Sequence, residues 1–144
     1  MDIENLFGPE GTAMVQTKLG SFRRKFPQFR IVICSLRLAP ETNPREFGHW
    51  LLNASPFQPG EAEIDRRRTL LLILETESRQ AAVTMGYDIE PFIEETPARV
   101  ALEQGTPSMA NGDFTQGAIR FLDELDAILT KTFRVVQKKI RRRS

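Results

Sequence analysis

The sequence predicts an α/β protein: a three-layer α/β/α sandwich with a small mixed sheet flanked by helices and a long C-terminal helix. Three observations predict it. Two segments, FRIVICSLRL (29–38) and RTLLLILE (68–75), are apolar almost without a break, as strands covered on both faces are. Around them, apolar residues recur at helical steps of three and four. The length of 144 residues, with 40% hydrophobic and 27% charged residues, suits one soluble domain with a sizeable core.

Residues 1–11, with Gly8-Pro9 and Gly11, read as a flexible lead-in, 12–130 as the domain and 131–144 as a basic helical extension. From Thr12, Val15, Leu19, Phe22 and Phe26 form one helical stripe that Pro27 closes. The first strand follows. Asn43-Pro44 is an N-cap with proline at the first helical position, opening a second helix whose buried stripe is Phe47, Trp50, Leu51 and Ala54. The segment 55–63 is a loop. Residues 68–75 and 79–86 form a hairpin across Thr76-Glu77-Ser78. Thr96-Pro97 opens a helix to about Gln104, and 105–113 reads as a loop rich in glycine and proline. The last helix keeps its period from Phe114 to Ile140, ~40 Å at 1.5 Å per residue. A right-handed crossover through the second helix makes the first two strands parallel.

Composition excludes several functions. The longest apolar run, Leu70 to Leu74, falls far short of the roughly 20 residues that cross a bilayer. The start, Met-Asp-Ile-Glu, does not read as a signal peptide, so a cytoplasmic location is expected. Cys34 is the only cysteine and lies in an apolar run, a core thiol rather than a nucleophile. His49 is the only histidine, which excludes a His-rich metal site and ties any Ser-His-Asp or Cys-His system to it. No glycine-rich phosphate loop occurs.

The stretch AVTMGYDIEPFIEE (82–95) places Asp88, Glu90, Glu94 and Glu95 just beyond a strand. With the strand before it, the helix opened at Thr96-Pro97 and the sequence NGDFTQGAIRFLDEL, it resembles the TPM domain family. The resemblance covers roughly Val15 to Leu129 and rests chiefly on Gly86-Tyr87, Glu90, Gly112-Asp113-Phe114 and Gly117. That family includes a thylakoid-lumen acid phosphatase, photosystem repair factors and many bacterial proteins of unknown role. The resemblance implies an α/β/α sandwich. For some members it also implies a calcium or other divalent-metal site and weak phosphatase activity at one end of the sheet. Such proteins usually carry a signal peptide, and often a membrane span.

The chain departs from the family pattern at that end. Arg66-Arg67-Arg68 replaces the family's Asn-Gly turn, Asp88 replaces the second glycine of Gly-Tyr-Gly, and Glu95 stands where a helix-start Asp falls. The hairpin brings Asp65 to Arg68 beside Tyr87 to Glu95. Three guanidiniums facing four carboxylates favour an ion-pair network. A solvated loop is the second reading, and a retained metal or acid/base site the third. That third reading uses Glu90, Glu95, Asp65 and Asp113 as catalytic groups and Asp88, Glu90 and Glu95 as metal ligands. Asp113 reads first as the N-cap of the last helix.

The net charge of +1 hides an asymmetry. Lys131, Arg134, Lys138, Lys139, Arg141, Arg142 and Arg143 leave 13 basic against 19 acidic residues in 1–130, a net of −6. The last helix outruns the strands it covers, which leaves Phe133, Val136 and Ile140 without an evident intramolecular partner. A solvated, dipole-complementing helix end is one reading of the extension. The other is attachment through Arg134, Lys138, Lys139, Arg141, Arg142 and Arg143 to an anionic membrane or a protein partner. Nucleic acid is disfavoured, because the acidic body repels phosphates. The expected function is a non-catalytic accessory or interaction module without a cofactor. The alternative is a weak divalent-metal-dependent phosphatase.

Overall fold

The structure is a computed structural model in which residues 7–39, 41–54, 67–89, 91–93 and 95–143 are described. The side chains of Asn53, Ala54, Glu95, Val136, Arg142 and Arg143 are not. The element order is α1 (Gly8–Lys25), β1 (Arg30–Leu36), α2 (Pro44–Ala54), β2 (Thr69–Glu75), β3 (Gln80–Met85), α3 (Glu95–Ala110) and α4 (Phe114–Arg143).

The sheet runs β1-β2-β3. β1 and β2 are parallel, with Ile33 opposite Leu72, and β2 and β3 are antiparallel, with Leu72 opposite Val83. Side chains alternate across the sheet. Leu70, Leu72 and Leu74 enter the larger core with Phe22, Phe26, Ala98, Phe121 and Leu125 from the helices of one face. Leu71 and Ile73 join Cys34, Leu36 and Leu52 in a smaller core under α2. Every residue of β2 is buried, which explains its unbroken apolar run. This is the expected mixed sheet between helical layers.

Four expectations are corrected. α1 begins at Gly8, inside the expected lead-in. Proline is tolerated in a first turn because its missing N–H would be unsatisfied there anyway. Gly11 is buried where α1 crosses α4, and a Cβ on it would stand 2.5 Å from Thr115 Oγ1. Two exposed ion pairs flank this crossing, Lys18–Asp123 and Lys25–Asp126, each at 2.6 Å.

α3 does not stop at Gln104. It continues through Gly105 and Pro107 to Ala110. Gly105 permits direct backbone contact with α4, since an added Cβ would lie 2.4 Å from the Gly117 carbonyl oxygen. Burial of Ala101, Leu102 and Met109 along that contact outweighs the local cost of glycine and proline. The helix ends at Gly112, φ +87°, where Gly112 N–H donates to Met109 O and Asp113 N–H to Ser108 O. That is a Schellman ending.

Trp50 is not core. It is 61% exposed, while Gly48 and Leu52 are buried. α2 seats Gly48 on β3, where a Cβ would come within 2.7 Å of Thr84 Oγ1. This turns Trp50 outward, with its ring 5.8 Å from that of Phe47.

Phe133 is not left over. Its ring stands 5.7 Å from Phe26, 6.2 Å from Phe29 and 5.5 Å from Phe92. Those three residues lie on the connections before β1 and after β3. α4 does outrun the strands, but the connections rise to meet it.

Candidate functional site

The sheet end where β2 begins and β3 finishes is held by three backbone bonds. Arg30 N–H donates to Arg68 O (3.0 Å), Gly86 N–H to Thr69 O (2.9 Å) and Asp88 N–H to Arg67 O (2.8 Å). The last of these carries the hairpin ladder past the strands and sets Arg67 beside Asp88. One Arg67 guanidinium nitrogen stands 3.1 Å from Asp88 Oδ1, with both side chains about half exposed. Tyr87 points outward, 74% exposed. Phe92 and Phe29 bring α4 to this same end, so the cationic turns from Arg134 onward leave the domain beside it.

The opposite end holds a buried carboxylate. Glu75 closes β2, only 4% exposed. It accepts from Leu38 N–H (3.3 Å), Glu77 N–H (3.2 Å) and Ser78 N–H (2.7 Å), and from the Ser78 hydroxyl. Burial pushes its pKa up, but the bonds from Ser78, Glu77 and Leu38 together outweigh burial and hold it below the ordinary value. The turn it organises ends at Arg79, φ +56°, whose guanidinium donates to Ala110 O at the end of α3. A cation is favoured at that end of a helix dipole.

A groove of about 400 Å³ runs along β3 between α2 and α3. Ala81, Ala82 and Val83 form its strand side, with Leu102 and Met109 of α3 beside them. Arg45, Arg79 and Arg99 also line it.

The family model of the TPM domain matches residues 1–128. The chain belongs to the TPM domain family. Three NMR structures share the fold. The N-terminal domain of a P. gingivalis protein is 14% identical, with a TM-score of 0.70 over 91% of this chain and 81% of that one. The N-terminal domain of the cg2496 protein from Corynebacterium glutamicum is 14% identical, with a TM-score of 0.66 over 88% and 76%. The BA42 protein from Bizionia argentinensis is 13% identical, with a TM-score of 0.62 over 90% and 86%. No curated protein matches the sequence significantly.

Within this TPM domain the sequence-derived candidates stand as follows. Asp88 follows β3 and pairs with Arg67. Glu95 is the first residue of α3. Asp65, Arg66, Glu90 and Glu94 lie outside the described residues. Asp113 is far from this end, because the sixteen residues of α3 set it ~24 Å along the helix from Glu95. It caps α4 instead, its Oδ1 accepting from Gln116 N–H at 3.0 Å. Among the described residues, no three His, Cys, Asp or Glu side chains converge as a metal site. The one candidate carboxylate whose side chain is described at this sheet end, Asp88, faces the Arg67 guanidinium.

Cys34 is buried, and burial pushes its thiol pKa up, while His49 is exposed on α2. Arg134, Lys138, Lys139 and Arg141 are exposed on α4, and Arg142 and Arg143 continue that helix. Among the described residues no helix is long and apolar enough to cross a membrane. Sequence reasoning missed Glu75 and the three-arginine groove. The spacing of Glu75 and Ser78 around a turn could have signalled the first. Nothing local joins Arg45, Arg79 and Arg99.

Proposed function

We propose that this TPM domain is a non-catalytic interaction module, attached to an anionic membrane surface or an acidic partner through the basic end of α4. One observation carries the reading. Arg67 pairs with Asp88 at the sheet end where the TPM resemblance places a metal and phosphatase site, so a guanidinium stands where converging oxygens would be needed.

The character of α4 supports the attachment. Beyond Phe133, Val135 is 47% exposed and Ile140 61% exposed among cations of one sign. At ~1 kcal/mol per cation near an anionic surface, the six from Arg134 to Arg143 suffice for reversible, salt-sensitive binding. The membrane is favoured over nucleic acid, because residues 1–130 carry a net −6.

Two measurements test it. Full-length protein should sediment with vesicles containing phosphatidylserine at low salt, and deletion of Arg134 to Ser144 or addition of salt should abolish this. With a divalent metal, hydrolysis of an aryl phosphate should not exceed that in buffer with the same metal. Metal-dependent turnover that is lost in Glu90→Gln would reinstate the phosphatase reading.

A further inference from the structure

We propose that the outer edge of β3 is a docking site for an extended, acidic peptide segment, which adds to the sheet as a fourth strand. This goes beyond the attachment by α4 and uses a different surface.

Gly86 N–H donates to Thr69 O, so Gly86 and Thr69 form a hydrogen-bonded pair. Counting back through the register, Thr84 opposite Leu71 and Ala82 opposite Ile73 are pairs of the same kind. The N–H and C=O groups of Ala81, Val83 and Met85 therefore point away from β2. Among the described residues β3 has β2 as its sole strand neighbour. A bare edge of this kind is a template for another strand.

The groove along that edge selects the occupant. Its floor is apolar, with Ala81, Ala82, Leu102 and Met109, and among the described residues no carboxylate lines it. Arg45, Arg79 and Arg99 line it, and no ion pair between described residues includes Arg99. The N-terminus of α2 is there too, with Asn43 Oδ1 already engaged by Arg45 N–H (2.8 Å) and Glu46 N–H (3.4 Å). Among the described residues the charged side chains of the lining are all positive.

Two other occupants fit less well. A small anion such as phosphate would meet the outward carbonyls of Ala81 and Val83 as well as their N–H groups, whereas a peptide backbone pairs with both. A second copy related by a two-fold axis would bring one positively lined groove against another. An extended acidic segment with interspersed aliphatic residues satisfies the backbone, packs on the floor and complements the positive lining.

The test uses the full chain and the acetylated, amidated peptide Glu-Val-Glu-Val-Glu-Val. Amide NMR should show Ala81 and Val83 shifting and gaining exchange protection on titration. The same peptide N-methylated at alternate residues should bind at least tenfold more weakly, as should the wild-type peptide to an Arg45→Glu, Arg99→Glu double variant. The double variant should still sediment with anionic vesicles, which separates this site from the α4 attachment. The proposal is overturned by equal binding of the N-methylated peptide, by shifts confined to Arg134–Arg143, or by inorganic phosphate producing the same protection. Self-association through β3 that blocks the peptide overturns it as well.

Discussion

Phe133 stacks on Phe26 with ring centroids 5.7 Å apart, tying the sixth turn of α4 to the residue that caps the end of α1. The relationship sets where the domain stops and the attachment helix begins. A chain ending at Phe133 should unfold cooperatively with a nearly unchanged urea midpoint. A chain ending at Thr132, or the Phe133→Ala variant, should lose roughly 2–3 kcal/mol, somewhat less than the 3–5 of a fully buried ring. Equal midpoints for the two truncations would show that the ring cluster contributes nothing.

The α3–α4 crossing predicts opposite outcomes for two glycines. In Gly105→Ala the new Cβ meets Gly117 backbone at 2.4 Å, which neither helix can relieve without moving. The expected loss is about 2–3 kcal/mol from overpacking. In Gly20→Ala the nearest atom is the flexible end of Arg24 at 3.8 Å. That change should stabilise the protein by ~0.4–1 kcal/mol, through a less flexible unfolded chain and better helix propensity. Thermal melts of both variants check the pair.

Glu75 predicts a pH dependence. Its pKa is held below the ordinary value in the folded state, so its contribution is fully present above the unfolded value of about 4.3 and is lost as pH falls through the folded one. Glu75→Gln should cost roughly 2 kcal/mol at pH 7, because an amide cannot accept all four hydrogen bonds as a carboxylate does. The gap between variant and wild type should narrow below pH 4. Urea midpoints at pH 7 and pH 3 measure it, and an unchanged gap would remove the carboxylate's charge from the account.

The Arg67–Asp88 pair should matter little to stability. Both side chains are about half exposed, and pairs of this kind contribute no more than about 1 kcal/mol. Arg67→Ala should therefore shift the denaturant midpoint only slightly in dilute buffer and not at all in 1 M salt. A larger, salt-independent loss would mean that Arg67 serves the fold by packing rather than by charge.

The mixed sheet and the family were legible in the residues alone. Unbroken apolar runs marked strands covered on both faces, and their order with α2 between them required a parallel pair followed by a hairpin. Asn43 and Asp113 were legible as caps, because capping is settled within four residues of chain. The basic end of α4 was legible too, since charge needs no partner to be counted.

Tertiary structure alone decided the rest, wherever two distant segments had to meet. Gly105 and Pro107 read locally as a loop, yet the contact of Gly105 with Gly117 and the burial of Ala101 and Met109 hold the segment in a helix. Trp50 sat on a plausible stripe, but the seat of Gly48 on Thr84 set the rotation of α2 and turned the indole outward. Phe133 lacked a partner along its own helix and found three on connections from elsewhere in the chain. Arg45, Arg79 and Arg99 gather only because α2, the hairpin turn and α3 border the same strand edge. Periodicity is a property of one segment, whereas close approach and charge convergence belong to pairs of segments brought together by the fold.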